Sequence, residues 1–281
     1  MRYHFAMTAL RDDIAGHIPE QGVAVWWLGQ SGLIVRGASG TVVVDPFVTD
    51  FGSFGRLYEP PLDPSELDFV DVLLGTHDHA DHIDPLGFPA ILAASPNAVG
   101  VVPAAALDRV TSLDGIGPER LRGAQAGEPL QFGAIGLEPF PAVHGYEPAD
   151  GYGFHLSPAG DHPFLGYVIE LDGVRIGHVG DTLVYPGLSE YLRDARLDLL
   201  MLPINGTSWF REQRGLVGNM NAIEAAELAD MSGARLTMPV HWDLFADNTG
   251  DPDHFVRYAE RLHPTVRPVV PTLGVRIDLD A

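Results

Sequence analysis

The chain has 281 residues, of which 46% are hydrophobic, and carries a formal net charge of −21 from 17 basic and 38 acidic residues. This composition excludes a disordered or collagen-like chain, and the acidic excess disfavours nucleic acids and anionic membranes as partners. Cysteine is absent and all 17 basic residues are arginine, which excludes disulfides, thiolate ligands and thiol or lysine nucleophiles.

The first half of the chain is predicted to contain mainly short strands, separated by turns rich in glycine and serine. A long loop over Phe47–Pro64 follows the third strand. A densely polar stretch over Thr76–Asp84 follows the fourth. The predicted strands are Val23–Leu28, Gly32–Arg36, Thr41–Val44, Val70–Gly75, Val99–Val102 and two within Glu128–Val143, and the predicted helices are Pro85–Ala94 and Ala104–Val110.

The second half alternates strands and helices after another long loop, over His144–Pro163. Asp172-Gly173 lies between two apolar runs and is the strongest hairpin signal of the chain. The helix over Asn221–Met231 has a clear apolar face, and Gly233 is expected to end it. The other predicted strands are Leu165–Leu171, Val174–Val179, Leu197–Leu202, Leu236–Val240 and the last strands within Val269–Ile277, and the other predicted helices are Pro186–Arg193 and Pro252–Leu262.

This order of elements predicts an α/β (α+β) protein with two sheets at its centre and helices outside. Its length is compatible with one large domain, so we expect a single domain over residues 1–281. No apolar run approaches the roughly 18 residues that span a bilayer. The first 18 residues lack the apolar segment of a signal peptide, and we expect a cytoplasmic protein.

The segment Thr76-His77-Asp78-His79-Ala80-Asp81-His82 predicts a metal site. In an extended chain, residues two apart point the same way, so His77 and His79 are placed to hold one ion together. Asp81 and His82 lie where the chain turns towards the next helix, within reach of a second ion. Imidazole and carboxylate groups suit Zn, Mn, Fe or Ni.

Three further strand ends carry residues of the same chemistry. They are His144 after the strand ending near Val143, Asp181 in Gly180-Asp181-Thr182, and His241 in Pro239-Val240-His241-Trp242. Each alone is a weak signal, because a single histidine at a strand end is more often a structural hydrogen-bonding group. Together with the histidine-rich segment they complete a set for two metal ions.

This pattern, H-x-H-x-D-H followed by a histidine, G-D-T and a late histidine, resembles the metallo-β-lactamase superfamily over nearly the whole chain. Several motifs look more narrowly like its L-ascorbate-6-phosphate lactonase branch: Trp27–Gly32, Val44–Pro46, Thr76–Asp84, Leu202–Gly206, Asn219-Met220, Glu224-Ala225 and Pro239–Asp243. The resemblance implies a four-layer αββα sandwich with the metals at one edge, between the two sheets.

The resemblance also implies a division of the ligands between two divalent metal ions. His77, His79 and His144 would bind the first ion. Asp81, His82 and His241 would bind the second, and Asp181 would bridge the two. The lactonase branch favours manganese as the metal, and the superfamily as a whole favours zinc.

The expected activity is hydrolysis of a lactone or ester of a small substrate, including sugar phosphates, by metal-bound hydroxide. Asp81 is a candidate to accept a proton from the attacking water, and His241 is a candidate to protonate the leaving group. A phosphodiesterase with the same site, or a metal-binding sensor without turnover, is the alternative. A serine hydrolase is disfavoured, because the chain lacks a G-x-S-x-G elbow, and Gly29-Gln30-Ser31-Gly32 is interpreted as a tight turn.

The residues that would contact the substrate are less well defined. Arg211 and Arg214 are the candidates to bind a substrate phosphate. Asn205 is interpreted equally well as a substrate donor or as part of a turn, and Asn219 as a helix cap or a substrate contact. Asp45 is expected to orient one of the ligand histidines.

The expected partner is a small molecule rather than a nucleic acid or a membrane. Exposed aromatic side chains would also permit assembly into a homo-oligomer. Trp26 and Trp27 are adjacent in a predicted strand, so they are expected to face opposite sides of the sheet.

Overall fold

Thirteen β-strands form the centre of the molecule within residues 7–50, 55–145 and 156–281, which the computed structural model describes. The strands are β1 (Val23–Gly29), β2 (Gly32–Gly37), β3 (Gly40–Val44), β4 (Val72–Leu74), β5 (Val99–Pro103), β6 (Leu121–Ala124), β7 (Leu130–Phe132), β8 (Ile135–Pro141), β9 (Leu165–Leu171), β10 (Val174–His178), β11 (Leu199–Pro203), β12 (Leu236–Val240) and β13 (Arg276–Leu279). They divide into two mixed sheets.

One sheet has seven strands in the order β13-β1-β2-β3-β4-β5-β6, and the other has six in the order β12-β11-β10-β9-β8-β7. The α-helices are α1 (Met7–Gly16), α2 (Gly87–Ala94), α3 (Leu107–Thr111), α4 (Leu188–Ala195), α5 (Trp209–Glu212), α6 (Ala222–Ser232) and α7 (Pro252–Leu262). Helices α1 to α3 pack on the outer face of the first sheet, and α4, α6 and α7 pack on that of the second. The predicted αββα sandwich is confirmed.

Side chains alternate between the two faces of each strand. This alternation gives the molecule three apolar layers, one between the sheets and one between each sheet and its helices. In β1, Val23, Val25 and Trp27 face the core between the sheets. Their neighbours Ala24, Trp26 and Leu28 face the helices outside. The two tryptophans therefore point in opposite directions, as predicted, and both are buried.

Local signals in the sequence explain where several elements begin and end. Asp172 and Gly173 connect β9 to β10 with positive φ angles of 47° and 82°, the combination that a two-residue hairpin turn needs. Asn221 caps α6 by accepting from the backbone N–H groups of Ile223 and Glu224, and Gly233 ends the helix at φ 65°. The helix cap is thus Asn221, and Asn219 does not have this role.

Some predicted elements differ from the observed ones. Helix α1 was not predicted. Leu10 and Ile14 are buried one turn apart in it, but the charged residues between them made its apolar face hard to recognise in the sequence. The sequence reading also missed the four-residue edge strand β6 and the single turn of α5. The last strand covers only Arg276–Leu279 rather than starting near Val269, and Pro271, which has no N–H group to donate, lies in the irregular segment before it.

The ends of several strands meet at one edge of the sandwich. The polar segment after β4 contacts residues that follow β3, β8, β10 and β12, and also the turn between β1 and β2. These strands belong to both sheets. Candidate functional side chains from distant parts of the sequence therefore come together there. None of the described helices is long and apolar enough to cross a membrane.

Candidate metal centre

The first cluster of candidate ligands consists of His77, His79 and His144. Each offers one ligand atom, and these atoms lie within 4.8 Å of one another. The Nε2 atom of His77 is 3.0 Å from Nδ1 of His79. His77 and His144 are buried, whereas His79 is exposed, so this cluster is open to solvent on one side.

The second cluster consists of Asp81, His82 and His241, whose ligand atoms also lie within 4.8 Å of one another. Oδ2 of Asp81 is 3.6 Å from Nε2 of His82 and 3.6 Å from Nε2 of His241. The two imidazole rings stack, with centroids 5.6 Å apart. The side chain of Asp81 is 22% exposed, so this cluster too is accessible from outside.

Asp181 lies between the two clusters. Its Oδ2 atom is 3.1 Å from Nε2 of His241 and 3.8 Å from Nε2 of His144, and its Oδ1 atom is 3.5 Å from Nε2 of His82. The structure thus brings together all seven candidate ligands, in two clusters that match the division implied by the family resemblance. Their roles as ligands stay a prediction.

Asp45 holds His82 in a fixed orientation. Its carboxylate accepts from the backbone N–H and the hydroxyl of Thr76, at 2.8 and 2.7 Å, and lies 2.7 Å from Nδ1 of His82. All three residues are fully buried. When the ring is neutral and its proton is on Nδ1, the Nε2 lone pair of His82 faces Asp81 and Asp181.

Asn219 plays the same part for His144. Its Oδ1 atom is 3.0 Å from Nδ1 of His144, and its Nδ2 atom donates to Oδ1 of Asn205 at 3.1 Å. Asn205 in turn donates to Oδ1 of Asn248 at 2.9 Å. This chain of amides directs Nε2 of His144 towards Asp181, and it gives both Asn219 and Asn205 a role behind the ligands.

His178 has a structural role, although it lies close to Asp181 in sequence. Its Nε2 atom is 2.8 Å from the backbone oxygen of Ser31, and its Nδ1 atom accepts from the N–H of Gly180 at 3.2 Å. Both ring nitrogens are therefore engaged away from the clusters.

Burial and neighbouring charges divide the histidines into two classes. Burial lowers the pKa of His77 and lowers that of His144 to about 4, which leaves both rings neutral at pH 7. Burial also opposes protonation of His82 and His241. There, however, the carboxylates of Asp181 and Asp81 prevail, so that the pKa of His82 is raised and that of His241 rises to about 9.

The same contacts keep both carboxylates ionised. Burial alone would raise the pKa of Asp181, but His241 and His82 hold it well below its usual range. The pKa of Asp81 is lowered for the same reason, mainly by His82. In the metal-free protein the second cluster is thus a set of protonated imidazoles paired with carboxylates.

Two buried atoms of the candidate ligands have no hydrogen-bond partner, Nε2 of His82 and Oδ1 of Asp181. Buried polar atoms normally have one, and both atoms face the other candidate ligands. The donor set of five imidazoles and two carboxylates suits divalent ions such as zinc and manganese. The residues present therefore fit a metal centre.

Metal uptake is expected to release protons and to strengthen as the pH rises. At pH 7, His241 and His82 carry protons that a bound ion must displace. We expect more than one proton to leave per protein when Mn²⁺ is titrated at pH 7, measured by calorimetry in buffers of different ionisation enthalpy. An apparent affinity that stays constant between pH 6.5 and 8.5, without proton release, would contradict this assignment.

The stability of the metal-free protein provides a control, because it should fall as the pH rises, whereas metal affinity should increase. A histidine whose pKa is raised on folding stabilises the fold below its unfolded pKa, near 6.5, and this contribution is lost as the pH rises through the folded value. For His241 the loss falls between about pH 6.5 and 9. Thermal denaturation should therefore give a lower Tm at pH 9 than at pH 6.5 without metal.

A cavity of about 510 Å³ opens beside His79 and His144. Glu212 is the charged carboxylate among its described lining residues, and no arginine is among them. Lysine is absent from the whole chain. The other described lining residues are Gly145, Phe164, Leu183, Thr207, Gly215, Leu216, Val217 and Gly218.

The two arginines expected to bind phosphate are engaged elsewhere. The guanidinium of Arg211 donates to the backbone oxygens of Asn205, Gly206 and Thr249. Arg214 is half exposed and lies 3.6 Å from Asp247. Arg211 thus anchors the segment after β11, and neither arginine is among the described residues of the cavity lining. A phosphate-binding role for them stays a prediction.

The sequence reading also missed a residue at the centre. Gln30, interpreted as part of a tight turn, is buried, and its side-chain amide lies 2.9 Å from Oδ2 of Asp81. Its turn joins β1 to β2, whereas Asp81 follows β4, so the contact depends on the tertiary fold. Parts of the two predicted long loops, residues 51–54 and 146–155, lie outside the described residues.

Comparisons with known proteins agree with this picture. A family model described as the beta-lactamase superfamily domain matches residues 41–242. A UPF0173 metal-dependent hydrolase of Methanoculleus marisnigri is 30% identical over 237 residues, 84% of this chain and 88% of the relative. A UPF0173 protein of Pyrococcus furiosus is 26% identical over 253 residues, 89% of this chain and 98% of the relative.

A solved structure has a similar fold. Igni18, a metallo hydrolase from the archaeon Ignicoccus hospitalis, superimposes with a TM-score of 0.67 at 20% sequence identity, covering 92% of this chain and 99% of that one. At this identity the likeness concerns the fold alone.

Proposed function

This chain belongs to the beta-lactamase superfamily and, within it, to the UPF0173 metal-dependent hydrolases, and from that premise we propose that it hydrolyses an uncharged lactone or ester. The membership makes it a metal-dependent hydrolase. The substrate is our proposal, and the observation that carries it is a ligand cluster beside a cavity whose described lining holds no arginine or lysine.

We assign the seven clustered residues to two divalent ions, with His77, His79 and His144 for one and Asp81, His82 and His241 for the other, and with Asp181 between them. Ions bound there would lower the pKa of water towards 7 and polarise the substrate's carbonyl oxygen. No serine or cysteine nucleophile is then required.

Asp81 is the residue best placed to accept a proton from the attacking water. Its pKa is lowered already in the metal-free protein, where the charge of His82 outweighs burial, and Asp81 is partly exposed while the other candidate ligands of its cluster are buried. His241 was also a candidate to protonate the leaving group. We assign it as a ligand only, because its Nε2 atom faces both carboxylates and a nitrogen bound to an ion cannot carry a proton.

The cavity favours a neutral substrate over a sugar phosphate or a phosphodiester. Phosphate recognition usually employs arginine or lysine. Among the described lining residues there is no arginine, and Glu212 contributes a negative charge. The aromatic and aliphatic side chains of Phe164, Leu183, Leu216 and Val217 complete a surface suited to an apolar substrate group.

The test is hydrolysis of matched substrates by metal-free protein reloaded with Mn²⁺ or with Zn²⁺. A sugar lactone and its phosphorylated form share the same reacting carbonyl and differ by one phosphate group, which the cavity must accept together with its charge. We expect kcat/KM to be at least about tenfold higher for the neutral lactone, equivalent to about 1.4 kcal/mol in transition-state binding. A chromogenic phosphodiester tests the alternative activity in the same assay.

Two variants make this comparison specific. Glu212→Gln is expected to improve hydrolysis of the phosphorylated lactone and to leave that of the neutral one within about twofold, because it removes a negative charge from the lining. Arg214→Ala should change neither substrate. Preference for the phosphorylated lactone, lost in Arg214→Ala, would overturn the proposal in favour of a sugar-phosphate substrate.

A further inference from the structure

The amide side chain of Gln30 lies between two candidate ligands of the second ion. Its Nε2 atom donates to Oδ2 of Asp81 at 2.9 Å and lies 3.0 and 3.4 Å from the two ring nitrogens of His241. The amide therefore bonds one candidate ligand and lies within hydrogen-bonding distance of Nε2 of the other, the ring nitrogen that would face the ion. Gln30 is 1% exposed, so water does not compete for these contacts.

The backbone of Gln30 adopts a positive φ angle in the turn between β1 and β2, although the residue has a long side chain. Its φ angle is 52°, a conformation that favours glycine or asparagine over a long side chain. Three of the five non-glycine residues with positive φ in the described part of the chain belong to this centre: Gln30, Asp45 and His241. Strained residues of this kind concentrate at functional sites.

The anchors of this turn do not involve the Gln30 side chain. The backbone N–H of Gln30 donates to Oδ1 of Asp243 at 3.1 Å. Its backbone oxygen accepts from the N–H of His241 at 2.9 Å and from the indole of Trp27 at 3.0 Å. Tyr58 in turn donates to the carboxylate of Asp243. Substitution of the side chain should therefore leave the turn in place.

The amide oxygen of Gln30 also argues against a purely structural role for this side chain. Oε1 of Gln30 is buried without a hydrogen-bond partner. An unpaired buried acceptor is unfavourable for the fold, so an apolar side chain of the same length would stabilise this position better. The hydrogen bond from the amide N–H to Asp81 therefore gives the reason for glutamine at this position.

We propose that Gln30 is a positioning residue of the second metal site, holding the carboxylate of Asp81 by an amide N–H and the ring of His241 by contact. Carboxylate ligands are commonly fixed by such hydrogen bonds, and loss of one typically weakens metal binding by about 10- to 100-fold. The inference rests on the proposed metal centre, and its test does not depend on the substrate.

Three substitutions separate the properties of the amide. Gln30→Met keeps the length and removes both polar atoms. Gln30→Glu keeps the shape but has no N–H to donate when ionised. Gln30→Asn keeps an amide and suits the positive φ angle, but it withdraws the amide by one methylene group. The matched control is Gln131→Met, because Gln131 is exposed and donates to the backbone oxygen of Gly133.

Binding of Mn²⁺ is measured by calorimetry, and the absorption spectrum of the Co²⁺-loaded protein reports the ligand environment. We expect all three Gln30 variants to bind one ion like the wild type and the second ion about 10- to 100-fold more weakly. Their Co²⁺ spectra should change, while the Tm of the metal-free protein stays within a few degrees of the wild type. Gln131→Met should match the wild type throughout.

Two results would overturn the proposal. Wild-type affinity for both ions in Gln30→Met would show that the amide serves only the turn. Affinity in Gln30→Glu equal to or above the wild type would show that an oxygen at this position binds the ion directly, rather than an N–H positioning Asp81. Failure of the wild type itself to bind two ions would refute the metal centre, and is therefore distinguishable from both.

Discussion

Replacing Asp181 with asparagine is expected to reduce hydrolysis at least about 1000-fold, equivalent to about 4 kcal/mol, and to leave at most one tightly bound divalent ion. Asp181 is the carboxylate shared by the two clusters, with His82, His144 and His241 all within 3.8 Å of its oxygens. Asparagine has nearly the same shape, so the loss of the charge is isolated from a change in packing.

The ion content is measured by elemental analysis after loading and desalting, and hydrolysis is measured with the best substrate of the lactone panel. Asp247→Asn is the matched control, because the Asp247 side chain is 74% exposed and its recorded ion pair is with Arg214. This control should retain two ions and full activity. An Asp181→Asn protein that keeps both would remove Asp181 from the centre.

Replacing Asp45 with asparagine is expected to lower metal affinity about 10- to 100-fold and hydrolysis by about 100-fold or more. Asparagine tolerates the φ angle of 44° that Asp45 adopts. Its NH₂ group, however, cannot accept the proton on Nδ1 of His82. The ring is then expected to take the other tautomer, with a hydrogen on Nε2 where an ion should bind.

The fold is expected to be destabilised as well, because the carboxylate of Asp45 satisfies three buried donors on Thr76 and His82. Leaving one buried donor unpaired costs about 1–3 kcal/mol. Asp84→Asn is the control. Asp84 is also fully buried and accepts from Thr49, Leu86 and Gly87.

Asp84→Asn should therefore lower the Tm without changing the affinity for metal, since Asp84 bonds none of the seven candidate ligands in the contacts that the structure gives it. Thermal denaturation and Mn²⁺ titration of both variants separate the two effects. If Asp45→Asn lost stability but bound Mn²⁺ like the wild type, the orienting role of Asp45 would be refuted.

The sequence was informative where chemistry is concentrated in a short segment. His77, His79, Asp81 and His82 lie within six residues after an apolar strand, so their proximity follows from local geometry. His144, Asp181 and His241 are far apart in sequence, and their grouping followed from strand ends together with a family resemblance.

The residues behind the ligands were harder to predict. Asn219 meets His144 across 75 residues of sequence, and Gln30 meets Asp81 across 51. Asparagine is common in turns and helix caps, and Gln30 lies in a turn between two strands, so neither residue type nor neighbouring sequence indicated these contacts. Only the tertiary fold brings them to the centre.

For the two arginines, the sequence suggested a role without revealing the contacts that their side chains already make. Arg211 and Arg214 were selected because a phosphate would need a cation and the chain has no lysine. The guanidinium of Arg211 instead satisfies three backbone oxygens. A sequence does not reveal which carbonyl groups a loop leaves unpaired, so it could not show that this arginine was already in use.

The most direct test of the metal centre is anomalous X-ray diffraction from a crystal of the Mn²⁺-loaded protein. We predict two peaks per chain, one among His77, His79 and His144 and one among Asp81, His82 and His241, with Asp181 in contact with both. A fully loaded crystal with no peak at these residues, or with peaks only elsewhere, would contradict the account.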